Sequence, residues 1–203
     1  MWRKCCLVLA TTLLTAGSLP AASPATLGLV VRRNIAVPTA VRQQFEFETE
    51  EAIRQSLHAE NLLVTWRDEG ALAGGESFDR LIVVSLQGDC STMMLNNLQS
   101  IGPLGWTSTA DERVLPFIGI DCTRVKASLA GSGGWPQSMI PAGTLARAMS
   151  RVAMHEIYHV LSERKHHDTE GLFKAEYSAA DLLAPAVLFH HSGKGLAGLS
   201  VRP

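Results

Sequence analysis

The stretch His155-Glu156-Ile157-Tyr158-His159 constrains this chain more than any other. Two histidines four residues apart stand one turn above each other on a helix, so both imidazoles can reach a single metal ion. The glutamate after the first histidine points roughly a quarter-turn away, where it can act as general base toward a water at that ion. The surrounding residues also read as a helix, from about Pro141 to Glu163. Ala146, Met149, Ala153, Ile157 and Val160 recur at helical spacing and form one apolar stripe. His155 and His159 fall on the opposite side, near Arg151 and Ser162, and are expected to face a cleft rather than the core.

A catalytic zinc takes three protein ligands and keeps one position open. Past the motif the chain reads Ser162-Glu163-Arg164-Lys165-His166-His167-Asp168. A solvated helix end accounts for the charges but not for two histidines within one loop. His166, His167 and Asp168 are therefore the candidates for the third ligand, with Glu176 more distant. The helix is expected to stop near Glu163, and the chain must then turn back toward His155 and His159. His167 has one residue more of reach than His166. Asp168 could instead accept the N–H of a metal-bound histidine and fix its tautomer.

The chain of 203 residues suits one domain with a sizeable core. Its start has the order of a secretory signal: Arg3 and Lys4, an apolar run from Leu7 to Leu14, then small residues and Pro20. The expectation is a signal peptide over 1–25, cut between Gly17 and Thr26, a catalytic domain over 26–185 and a loosely ordered tail over 186–203. The apolar run is too short to span a membrane. Cys5 and Cys6 precede it, so neither is a lipoprotein's acylated cysteine. Removing Arg3 and Lys4 leaves 16 basic against 19 acidic residues, a net charge of −3 that gives no electrostatic footprint for nucleic acid. The expected product is secreted or periplasmic and monomeric, without stable membrane insertion once the signal is cleaved. Its remaining cysteines, Cys90 and Cys122, form an isolated pair with no C-x-x-C partner, which in an exported chain reads as a disulfide.

In order, the chain predicts a strand over Leu27–Arg33, a helix from Thr39 to about Ala59 and strands over Leu62–Trp66 and Arg80–Leu86. The helix carries Val41, Phe45, Ala52, Ile53 and Leu57 at helical spacing. A short strand around Leu104–Thr107, a turn at Asp111-Glu112 and a strand over Val114–Asp121 follow; Pro116 marks that last strand as an edge or bulged one. A turn or short helix over Thr123–Leu129 and a Gly-rich loop lead into the motif helix. Ser178 opens a last short helix with Asp181 in its first turn. His190-His191 belong to the solvated tail. The fold class is α/β (α+β): a twisted mixed sheet, a backing helix, the motif helix and a small C-terminal piece.

With Gly105-Trp106-Thr107 and Leu115-Pro116-Phe117-Ile118-Gly119-Ile120-Asp121-Cys122 beside the pentapeptide, the chain resembles the zincins, and among them a reduced metzincin. It is most similar to small exported bacterial H-E-x-x-H proteins with a seven-residue gap to a further histidine. The resemblance covers most of Leu27 to Leu183. It implies a zinc metallopeptidase with His155, His159 and His167 as ligands and Glu156 as base, acting on a peptide or protein substrate. His166 and Asp168 rank next as third ligand, Asp168 being the choice in aspartate-liganded zincins. Metzincins place the third histidine at the position of Lys165 and a glycine at that of Ser162, so the turn here is built differently. Phe173 stands where a hydrophobic residue beneath the metal is expected, and Tyr177, ahead of Tyr158, is the candidate second donor to a developing oxyanion. The competing reading is a non-catalytic zinc-binding module whose site is closed by a fourth ligand.

Overall fold

The computed structural model describes residues 24–33, 35–57, 62–93, 101–130, 139–169 and 171–184. Residues 1–23, the greater part of the expected signal segment 1–25, the Gly-rich stretch 131–138, and the tail with His190 and His191 lie outside the described residues. Among the described residues, no helix is long and apolar enough to cross a membrane.

Within these residues five strands form one mixed sheet in the order β2-β1-β3-β5-β4. They are β1 (Ala25–Arg33), β2 (Leu62–Asp68), β3 (Arg80–Gln87), β4 (Gly105–Ala110) and β5 (Arg113–Asp121). The first three and β5 run parallel, and β4 returns antiparallel to β5. Alternation sorts the side chains. Leu27, Leu29 and Val31 of β1, Ile82, Val84 and Leu86 of β3, and Ile118 and Ile120 of β5 are at most 2% exposed and share one face. Each contributes roughly 1.5–3 kcal/mol by burial. On the other face the ring of Phe78 lies against Gly28, 2.7 Å from where a Cβ would stand.

Four helices of the described residues accompany the sheet: α1 (Thr39–Leu57), α2 (Cys122–Ala130), α3 (Ala142–Ser162) and α4 (Ala179–Leu183). Val41, Phe45, Ala52 and Ile53 make the buried side of α1, which packs along α3. Ser178 and Asp181 close a reciprocal capping box on α4. The sequence predicted an α/β sheet with a backing helix and a central motif helix, and that is the architecture.

One expectation is resolved and another changes. Of the two places open to Pro116, an edge or a bulge, it takes the bulge, because β5 lies between β3 and β4. Between the pairs Thr107↔Ile118 and Thr109↔Val114, Ser108 alone faces Leu115, Pro116 and Phe117. Pairing with β3 begins only at Phe117, so the missing proline N–H breaks no ladder bond there. The change concerns α3. Every residue from Ala148 to His159 is buried, not one stripe. α1 covers one side, β5 and β4 lie beneath, and α2 and α4 pack on the remainder. Ser150, Arg151, His155, Glu156 and His159 are therefore drawn inside along with the apolar residues.

The expected disulfide joins Cys90 to Cys122, with Cα atoms 4.9 Å apart. Gln87 and Asp121 are register partners at the ends of neighbouring strands, so chain continuation brings the two cysteines together. Both are fully buried, and Cys122 Sγ lies 3.9 Å from Met149 Sδ on α3. The bridge thereby ties the end of the sheet to the motif helix.

Candidate metal centre

α3 ends at Ser162, and Glu163 takes a left-handed conformation at φ 54°. That residue turns the chain back over the last turn of the helix. Metzincin spacing would put the reversal at Ser162; here the helix runs one residue further and the turn is longer. Lys165, where a metzincin has its third histidine, instead reaches Glu112 Oε2 at 2.6 Å, at the tip of the β4–β5 hairpin. Two residues later the loop delivers His167.

The structure brings three imidazoles together. His159 Nε2 is 3.0 Å from His155 Nε2 and 3.3 Å from His167 Nε2. The rings of His155 and His167 are stacked at 5.0 Å, and both meet His159 edge-on. Two nitrogens on a tetrahedral zinc, each at about 2.0–2.1 Å, stand about 3.3 Å apart. The spacing and the all-imidazole donor set thus fit a zinc ion. His155 and His159 are buried whereas His167 is exposed, so the cluster opens toward solvent on the loop side.

The second ring nitrogens of His155 and His159 are occupied. His159 Nδ1 donates to the Arg164 carbonyl at 2.7 Å, and His155 Nδ1 lies 2.9 Å from the Tyr177 hydroxyl. With its Nδ1–H on a carbonyl, His159 presents the Nε2 lone pair to the shared point, and His155 does the same when its Nδ1–H donates to the Tyr177 oxygen. Burial pushes the His159 pKa below its usual value and the neighbouring His167 adds to this, against the pull of the Arg164 carbonyl. A neutral imidazole is the form that ligates a metal.

Glu156 projects from the same turn toward β4. Burial raises its carboxyl to about 7, although the Thr107 hydroxyl donates to Oε2 at 2.6 Å and works the other way. Histidines and glutamate line one cleft of about 620 Å³, with Gly105, Trp106 and Thr107 along its β4 side.

The remaining candidates lie elsewhere. Among the described residues, the group able to hold a metal contains neither His166 nor Asp168, and both are exposed. Asp168 uses its backbone N–H on the Phe173 carbonyl at 2.9 Å, and the Nδ1 partners of His155 and His159 are other groups. Glu176 lines the cleft without joining the cluster. Tyr158 turns into the core, stacked 3.6 Å from Phe173. Tyr177 is at the site, but its hydroxyl is directed to His155 Nδ1, on the far side of the ring from the shared point. Sequence reasoning missed the contact of Thr107 with Glu156. Strand alternation puts Gly105 and Thr107 on one face, but which helix residue lies opposite is decided only by the packing.

No protein-family model matches the chain, and no curated protein matches it. Among solved structures it is similar to the crystal structure of archaemetzincin from Methanopyrus kandleri, with a TM-score of 0.43 and 12% identity over 80% of this chain and 87% of that one.

Proposed function

We propose that the chain is an exported zinc-dependent peptide hydrolase in which His155, His159 and His167 hold the metal and Glu156 is the general base. The observation that carries this is the convergence of three Nε2 atoms at 3.0 and 3.3 Å, beside a buried carboxylate in the same cleft. A zinc ion in such a set supplies Lewis acidity, acidifying water toward a pKa of about 7 and polarising a carbonyl. The protein's own residues do the rest. Tyr177 and the Arg164 carbonyl fix the orientation of two rings. Glu156 takes a proton at its carboxylate and returns it to the leaving amine, a task that its place in the cleft beside the three histidines allows. Three histidines are the number a catalytic zinc uses, which leaves a coordination position for water or substrate. The buried Cys90–Cys122 bridge supports an oxidising compartment.

Purified protein incubated with a peptide library, with and without chelator, tests the activity. Glu156→Gln should keep near wild-type zinc while hydrolysis falls a hundredfold or more, since general-base catalysis contributes ~10²–10⁴. Loss of zinc in that variant would make the glutamate a ligand or a structural group and refute the assignment.

A further inference from the structure

We propose that Thr107 is a positioning residue for Glu156, and that Gly105-Trp106-Thr107 is the segment that holds the base at a fixed place in the cleft. The inference rests on the reading of Glu156 as general base. Three contacts lead to it. The Thr107 hydroxyl is 2.6 Å from Glu156 Oε2 and 3.3 Å from the Glu156 carbonyl oxygen. Two residues earlier, on the same face of β4, Gly105 has no side chain to intrude. A Cβ there would stand 2.5 Å from Val152 Cγ1 and 3.0 Å from Glu156 Oε1. β4 thus crosses α3 where Val152 and Glu156 are adjacent on the helix surface, and only a glycine permits that approach. One carboxylate oxygen is held by Thr107 while the other lies over the bare α-carbon of Gly105.

The third contact fixes β4 along its length. Trp106 points to the other face of the sheet and covers its register partner Gly119, where a Cβ would stand 2.0 Å from Cζ2 of the indole. With the bulge at Ser108 next to this pair, β4 has one register against β5. A slip of one residue would move Thr107 to the face away from α3. The indole on one face therefore determines the position of the hydroxyl on the other.

Thr107→Val keeps the shape and removes the hydroxyl, whereas Thr107→Ser keeps the hydroxyl. In the zinc-loaded protein, Thr107→Val should retain full zinc stoichiometry and a KM within about twofold, with kcat lower by about tenfold or more; Thr107→Ser should recover most of it. Equal losses in both variants would assign the effect to packing and overturn the proposal. A readout independent of turnover is the carboxyl-carbon NMR line of Glu156 in metal-free protein, assigned with Glu156→Gln. Thr107→Val should shift and broaden it, and Thr107→Ser should leave it near its wild-type position. A line that Thr107→Val leaves unmoved would overturn the proposal, whether or not the protein cleaves peptides. A line that moves in a protein without hydrolysis would refute the catalytic reading and, with it, the positioning role.

Discussion

His159 donates its Nδ1–H to the carbonyl of Arg164, five residues further on, at 2.7 Å. The loop that delivers the third histidine thus also orients the second. The turn that makes this possible depends on Glu163 at φ 54°, a conformation in which non-glycine residues are strained. Glu163→Gly should relieve that strain, stabilise the protein by up to about 1 kcal/mol and leave zinc stoichiometry unchanged. The ion pair of Glu163 with Arg80 spans 4.0 Å between exposed side chains, and removing it costs little. Equilibrium denaturation checks the sign; a loss of stability would mean that the glutamate side chain supports the turn in its own right.

Zinc binding should depend on His167 and not on His166. His167→Ala should abolish stoichiometric binding, His166→Ala should leave it near wild type, and Asp168→Ala should reduce it far less than His167→Ala. Zinc at a hundredfold its dissociation constant should stabilise the wild type by about 2.7 kcal/mol. Thermal denaturation with and without zinc should show no such rise for His167→Ala. A rise of wild-type size would reassign the ligand.

Reducing the Cys90–Cys122 bridge should destabilise the protein by roughly 3–4 kcal/mol, the chain-entropy value for a separation of 32 residues. Purified protein under non-reducing conditions should weigh two mass units less than the dithiol. Two titratable thiols in native protein would contradict the bridge.

Acid should weaken the fold through Asp89. Partial burial pushes its pKa up, but the hydrogen bonds from Lys126 and Ser91 outweigh this and hold it below the ordinary carboxylate value. The fully buried Lys126 places Nζ 2.5 Å from Asp89 Oδ2 and 2.9 Å from the Met93 carbonyl. A carboxyl whose folded pKa is lowered adds stability that is fully present above its unfolded value of about 3.9 and is lost as pH falls through the folded value. Asp89→Ala should cost about 1.5–3 kcal/mol at pH 7, with a smaller difference from wild type at pH 3. Urea titrations at the two pH values compare them. An equal difference at both would show that the pair does not titrate with folding.

The sequence by itself determined the local parts of this protein. Short apolar and β-branched runs located the strands, helical spacing located α1 and α3, and the H-E-x-x-H spacing put two imidazoles on one turn of α3 whatever surrounds it. Asp111 and Glu112 were legible as a turn, and both adopt left-handed φ, at 48° and 65°, in a two-residue hairpin. The cysteine pair was legible because only Cys90 and Cys122 lie beyond the expected leader. What a local pattern could not supply was the identity of neighbours across space. Pro116 is legible as breaking a ladder, but whether at an edge or a bulge depends on β4 adding beyond β5. The burial of α3 on all sides depends on α1, α2, α4 and the sheet closing around it, which no periodicity within α3 records. Reach along the loop and the resemblance ranked His167 ahead of His166 and Asp168; the left-handed turn at Glu163 is the tertiary feature that brings the chain back so that His167 stands in the cluster. The contact of Thr107 with Glu156 joins residues 49 apart in sequence. It exists because Gly105 lets a strand approach a helix and Gly119 accepts an indole, so its position is a property of the packed sheet and helix together.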